Sequence, residues 1–211
     1  MNAGLGNLDG LKKHLLAGSM AGDPKFDGVI MDIGLMTAAA MENFCNRRFA
    51  RGTGLQDVFP ADRASFILSH YPVEQITLVE LKLKDADGFV AQDRSFIEST
   101  GLSSGIVYLP DNVDAAEYWA QLRFTYDGGY FFETLEPDDK NYPSPMPAGA
   151  TPLPADLRGA WLLQCRQVWD FCDKLGLAAA DKPKVQSALA ELDWSPMVKG
   201  TLQRYQQMQP I

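Results

Sequence analysis

The sequence is short of the residues on which most site chemistry depends. It has two histidines, His14 and His70, and three cysteines, Cys45, Cys165 and Cys172. The cysteines are odd in number and sit at no bridging spacing, so free buried thiols in a reducing compartment are expected. Cys165 and Cys172 are too far apart on one helix to chelate a metal, which wants ligands one turn apart. Basic charge is scarce as well: 19 Lys and Arg against 27 Asp and Glu leave a net charge of −8. That argues against sequence-independent binding of duplex DNA, which depends on phosphate neutralisation, although it does not oppose DNA passing nearby. No apolar run approaches the roughly eighteen residues of a membrane span. The opening MNAGLGNLDGLKKHLL lacks the basic-then-apolar order of a secretory leader, and none is expected. No glycine-rich phosphate loop with its lysine is present. The acidic Asp85-Ala86-Asp87-Gly88 lacks the other ligands of a calcium loop and reads as a hairpin turn. No cofactor and no metal are expected.

What is present suits a folded protein. The chain has 211 residues, 46% hydrophobic and 22% charged, enough for a real core in one medium domain or two small ones. Its ends carry a helical period and its middle a strand period. Asn7 caps a short helix bearing Leu8, Leu11 and Leu15. Asp23-Pro24 is a helix start, and Ile30, Ile33, Thr37, Ala40 and Phe44 predict an amphipathic helix to about Arg48, ended by Gly52 and Gly54. Val79, Leu81 and Leu83 then alternate with Glu80, Lys82 and Lys84, a run from Ile106 to Leu109 follows, and Tyr118 to Tyr126 alternates again. Six prolines from Pro137 to Pro154 mark an extended connector. Leu157, Trp161, Val168, Cys172 and Leu175 predict a further helix, a less regular helical piece lies around Val185 to Leu192, and Ser195-Pro196 opens a last helix with Val198, Leu202 and Tyr205 on one face. The expected fold class is α+β: a helical bundle from both ends of the chain, with an antiparallel β barrel or sandwich inserted between its helices. The expected domains are 1–54, the N-terminal helices; 55–135, the β insertion; 136–153, the connector; and 154–211, the C-terminal helices and tail.

Candidate chemistry is thin. Gly101-Leu102-Ser103-Ser104-Gly105 matches the nucleophile-elbow pattern, but the run after it is strand-like and both histidines precede the serine, so a glycine-serine turn is the better reading and a small serine hydrolase a remote one. No catalytic residues are assigned and no enzyme is expected. Arg47, Arg48 and Arg51 follow a helix C-terminus, where cations complement the helix dipole; they could equally face a neighbouring subunit or passing DNA. The run Tyr130-Phe131-Phe132 is an interface candidate, because three consecutive aromatic residues cannot all face inward from one strand.

Four segments, in order, resemble the head–tail connector, or adaptor, proteins of tailed bacteriophages. They are Leu8-Asp9-Gly10-Leu11-Lys12-Lys13-His14-Leu15; the alanine-rich helix ending Asn43-Phe44-Cys45-Asn46-Arg47-Arg48-Phe49; Arg123-Phe124-Thr125-Tyr126-Asp127-Gly128-Gly129-Tyr130, in which Asp127 departs from the family's small residue; and Leu153-Pro154-Ala155-Asp156-Leu157-Arg158-Gly159-Ala160-Trp161. The resemblance implies a structural subunit forming a twelve-fold ring below the portal, extending the DNA channel and carrying the next neck or tail component. Its implied partners are the portal protein, the next neck or tail-completion protein, further copies of itself, and double-stranded DNA passing without sequence-specific contact. A portal-docking segment would comprise Pro196, Val198, Leu202, Tyr205, Gln206 and Ile211. Arg47, Arg48, Arg51, Tyr130, Phe131 and Phe132 would lie at a subunit interface or the channel. The implied location is the virion neck, after synthesis in the bacterial host cytoplasm. A tail-completion or terminator protein of the neck is the alternative.

Overall fold

The structure is a computed structural model and describes residues 1–16, 23–83, 88–93, 97–109, 119–174 and 193–207. The expectations for the 85–87 turn, Tyr118, Leu175, the piece around 185–192, and Ile211 lie outside these residues.

The change of period along the sequence becomes a change of structure. Among the described residues the elements are the α-helices α1 (Leu8–Leu15), α2 (Asp27–Cys45), α3 (Ala155–Lys174) and α4 (Pro196–Gln203) and the strands β1 (Gly52–Pro60), β2 (Ser65–Ile67), β3 (Val73–Leu83), β4 (Val90–Gln92), β5 (Glu98–Gly101), β6 (Ile106–Tyr108), β7 (Trp119–Gly128), β8 (Tyr130–Phe131) and β9 (Thr151–Pro152). The chain divides into two compact units. One comprises Met1–Asn46, Phe132–Met146 and Leu153–Gln207, and the other includes Arg47–Phe131 and Pro147–Pro152.

In the helical unit, helices from both ends of the chain pack on one another. Asn7 accepts a hydrogen bond from the Gly10 N–H and starts α1 as its sequence predicts. Asp23 caps a single 3-10 turn, Pro24–Phe26, which leads into α2. That helix ends earlier than expected. Asn46 adopts the left-handed conformation (φ 52°) and its N–H bonds back to Glu42 and Asn43. An asparagine tolerates this geometry, so Gly52 and Gly54 are not needed as a stop. The buried stripe is Ile30, Ile33, Gly34, Thr37, Ala38, Met41 and Cys45, with Ala40 and Phe44 at its margin. Gly34 is a point of close approach: a Cβ there would meet the Ala3 carbonyl oxygen at 2.1 Å and Leu11 Cδ2 at 2.7 Å. Its carbonyl also accepts from the Trp161 indole N–H at 3.0 Å, tying α3 to α2.

In the β unit, four strands pair in the order β1-β7-β3-β4 and three in the order β2-β6-β5, all antiparallel. Registers such as Val79↔Phe124 and Leu81↔Leu122 place the alternating apolar residues on one face. There they share a core with Phe66, Leu68 and Val107, and the rings of Phe59, Phe66 and Phe124 pack at centroid separations of 5.4 to 6.0 Å. The mixed α+β class stands; of the expected barrel or sandwich the barrel is not formed, since neither sheet closes. The described part of each sheet is open, because β1 pairs only with β7 and β4 pairs only with β3 over three residues. The register of β3 against β7 breaks at Val73/Gln75, Ile76/Leu78 and Lys82/Leu83, and Leu83, at the strand's end, is exposed. The proline-rich stretch has no long element, but β9 pairs in parallel with β8.

Candidate functional site

The structure brings Arg47, Arg51 and Tyr130 together and leaves Arg48 exposed. Arg47 is a core residue, 5% exposed. Its guanidinium stacks on the Tyr71 ring 3.2 Å from the centroid, with Phe49 and Tyr130 at 5.4 and 5.3 Å. One of its N–H groups donates to the Tyr71 carbonyl. A planar, weakly hydrated guanidinium fits such an aromatic cage in a way an ammonium would not. Arg51 makes a two-pronged ion pair with Glu74, at 2.7 and 2.8 Å. That bond raises its proton affinity further above the ordinary arginine value, against the opposing effect of burial. Arg48 is the exposed member of the trio; its N–H donates to the Ser69 carbonyl at 2.9 Å.

The aromatic run divides too. Tyr130 is buried, its N–H donating to the Phe49 carbonyl at 2.7 Å, whereas Phe131 and Phe132 are half-buried.

In the C-terminal segment, Ser195 accepts from the Val198 N–H and Pro196 takes the first helical position. Val198 and Leu202 are both 0% exposed, a burial contributing roughly 1.5–3 kcal/mol each. The Tyr205 hydroxyl donates to Asp156 at 2.7 Å, and Gln206 reaches the Phe44 carbonyl at 3.2 Å. The Gln207 N–H reaches the Cys45 carbonyl at 2.8 Å. These contacts satisfy carbonyls at the end of α2 that the helix itself cannot. The apolar face of α4 is therefore engaged inside its own unit, and its exposed residues are Pro196, Met197, Lys199, Gly200 and Gln203.

The elbow-like pentapeptide folds as a turn. Leu102–Ser104 is one 3-10 turn closed by Gly105 at φ 75°, Ser104 donates to the Gly101 carbonyl at 3.0 Å, and the chain continues into β6. A Cβ on Gly105 would strike the Tyr71 ring at 2.8 Å, so backbone conformation and space both call for glycine. Cys45 and Cys165 are buried free thiols. Burial pushes the Cys165 thiol up to about 12, with a Thr37 hydrogen bond pulling the other way, so it is no ready thiolate. Among the described residues no group of three or more His, Cys, Asp or Glu is arranged to hold a metal ion, and no helix is long and apolar enough to cross a membrane.

One cluster went unseen in the sequence. Asp57 points inward from the edge strand β1 and accepts the Ser69 N–H (2.7 Å), the Ser69 hydroxyl (2.9 Å) and the Tyr126 hydroxyl (2.7 Å). Tyr126 in turn accepts the His70 N–H at 3.1 Å. Ser69 Oγ also lies 3.0 Å from His70 Nδ1. Burial first, then the bond to Asp57, raises the Tyr126 hydroxyl well above its ordinary value and keeps it protonated. The cluster fixes β1 to the segment before β3. Its members lie far apart in sequence, so no local spacing announces it.

Together these features define a class of chain: an α+β protein with helices drawn from both termini and a β unit between them. No protein-family model matches the sequence, and no curated protein sequence matches it. Solved structures do. A chain in the neck of an empty gene transfer agent (GTA) particle, computed with C6 symmetry, matches with a TM-score of 0.59 at 15% identity, over 97% of this chain and 90% of that one. A chain in the virion of a native GTA particle matches with a TM-score of 0.53 at 16% identity, over 97% and 90%. At these identities the likeness is one of fold.

Proposed function

We propose that this protein is a structural subunit of the neck of a tailed-phage-like particle, a head–tail adaptor that forms a ring below the portal and has no enzymatic role. The observation that carries this reading is the fold shared with a neck chain over nearly the full length of both chains. The four adaptor-like sequence segments point the same way. In a C6-symmetric neck, copies of a chain come in multiples of six, and the proposed twelve-fold ring is such a multiple. An acidic chain, net charge −8, keeps DNA from adhering as it passes. In this reading Pro196, Val198, Leu202 and Tyr205 fix α4 in place, and Gln206 with the tail to Ile211 docks on the portal. Arg48 and Phe131–Phe132 face a neighbouring subunit or the channel, while Arg47, Arg51 and Tyr130 hold the β unit together. The protein would be made in the host cytoplasm and reside in the virion neck.

The test is native mass spectrometry of the protein mixed with the portal ring of its own particle. Removal of 196–211 would strip Val198 and Leu202 from the helical core, so the informative truncation removes 208–211 alone. The expected result is one full-length copy per portal subunit and none of the truncated form. Failure of the full-length protein to bind would replace this reading with that of a tail-completion or terminator protein lower in the neck.

A further inference from the structure

The last helix and the residues just after it are held in different ways. Through Leu202 the chain is anchored by burial, with Val198 and Leu202 inside the helical core and Thr201 beside them. From Arg204 to Gln207 the side chains are exposed or half-buried, and hydrogen bonds and an ion pair tie the segment down.

One carboxylate receives the first two side chains of this strap. Asp156 lies in the first turn of α3, where the helix dipole favours a negative charge. Its Oδ1 accepts the Leu157 N–H at 2.9 Å and the Tyr205 hydroxyl at 2.7 Å. Its Oδ2 pairs with Arg204 at 3.0 Å, with 39% of the Asp156 side chain and 64% of the Arg204 side chain exposed. The other fastening is the end of α2, where Gln206 Nε2 donates to the Phe44 carbonyl at 3.2 Å and the Gln207 N–H to the Cys45 carbonyl at 2.8 Å. Carbonyls at a helix end lack partners in their own helix, and water can serve them once a strap leaves. An exposed ion pair is worth little and is screened by salt, whereas pulling Val198 and Leu202 from the core would expose two apolar side chains. The strap therefore opens far more readily than α4.

We propose that residues 204–207 form a polar latch keyed by Asp156, which opens without α4 and so frees Gln206 and the chain beyond it to dock. This inference deepens, and rests on, the reading above in which Gln206 and the tail contact the portal. While the latch is shut, the Gln206 side chain is engaged on Phe44 and Tyr205 on Asp156.

The test is hydrogen–deuterium exchange of the full-length protein, read at the Gln207 amide and at the amides of α4. Asp156→Ala is expected to speed exchange at Gln207 about fivefold or more while α4 changes by less than about twofold. Arg204→Ala, which leaves α3 unaltered, is expected to act in the same direction to a smaller degree. Higher ionic strength should speed exchange at Gln207 in the unaltered protein but not in Arg204→Ala. An unchanged Gln207 amide in both variants overturns the latch. So does an equal loss of protection in α4, the result of a merely structural role for Asp156. Mixed with the portal ring, Asp156→Ala is expected to associate about threefold faster than the unaltered protein, because the latch no longer has to open first. An equal or slower rate overturns its control of docking. If the unaltered protein does not bind the portal at all, the adaptor reading fails, and the exchange result still decides whether the latch exists.

Discussion

The two units hold their arginines at different depths. The β unit turns its charges inward or pairs them: Arg47 lies in an aromatic cage, Arg51 is clamped to Glu74, Arg123 to Glu80 at 2.6 and 2.7 Å, and Asp57 holds three donors. The helical unit has a core dominated by apolar side chains. Its arginine pairs lie at the surface, Arg166 with Asp170 at 2.9 Å and Arg204 with Asp156 at 3.0 Å. Both units leave bulky apolar residues exposed, among them Val58 and Val90 in the β unit and Leu163 and Met197 in the helical unit. The β unit thus builds three arginines into its fold, whereas these two arginines of the helical unit stay at the surface. Charge that looked available for DNA or a neighbour is mostly engaged in folding.

Breaking Arg47 should have the largest effect. Arg47→Ala empties the cage and removes a donor from the Tyr71 carbonyl, an expected loss of about 3 kcal/mol in urea-unfolding free energy. Arg47→Lys should recover less than half of it, because the fork and the flat stack are both lost. A destabilisation by Arg47→Ala too small to measure would return this residue to the surface. Next in size is Tyr126→Phe, which removes one donor from Asp57 and the acceptor for the His70 N–H. About 2 kcal/mol is expected by the same measurement.

A smaller effect should follow pH. The hydrogen bonds from Arg123 hold the Glu80 carboxyl below its ordinary 4.5, with burial opposing. A carboxylate depressed in the folded state stabilises fully above its unfolded value. This contribution therefore fades as the pH drops below 4.5 and through the depressed value. Glu80→Gln should flatten that part of the acid branch of a stability–pH profile, while an unchanged slope would mean that the pair contributes nothing. Smallest of all, Ser103→Ala should change stability by less than about 0.5 kcal/mol, since the residue is an exposed turn position.

Much of the local structure was legible. Asn7, Asp23-Pro24 and Ser195-Pro196 announced helix starts because a capping side chain and a proline act within a few residues of themselves. The alternation of Leu122, Phe124 and Tyr126 identified the inner face of β7 because a strand repeats every two residues. The end of α2 was misplaced: glycine is the commoner stop, and Asn46 met the same need. The barrel was over-read because alternation reports that a sheet has a buried face, not whether its edges meet. Among the site residues, Arg47 and Arg48 are adjacent and chemically alike, yet one is buried and the other exposed. Nothing local distinguishes them; the Tyr71 ring does.

What the sequence determined by itself was the kind of each element, several of its starts and the mixed helix-and-strand class, because period, capping and proline geometry are short-range effects. Tertiary structure alone decided which charges were neutralised internally, that α4 buries Val198 and Leu202, and which apolar side chains were left over at the surface. Those outcomes depend on contacts between residues as distant as Cys45 and Leu202 or Asp57 and Tyr126. The energy of a buried charge or an apolar side chain is set by whichever neighbours packing brings to it.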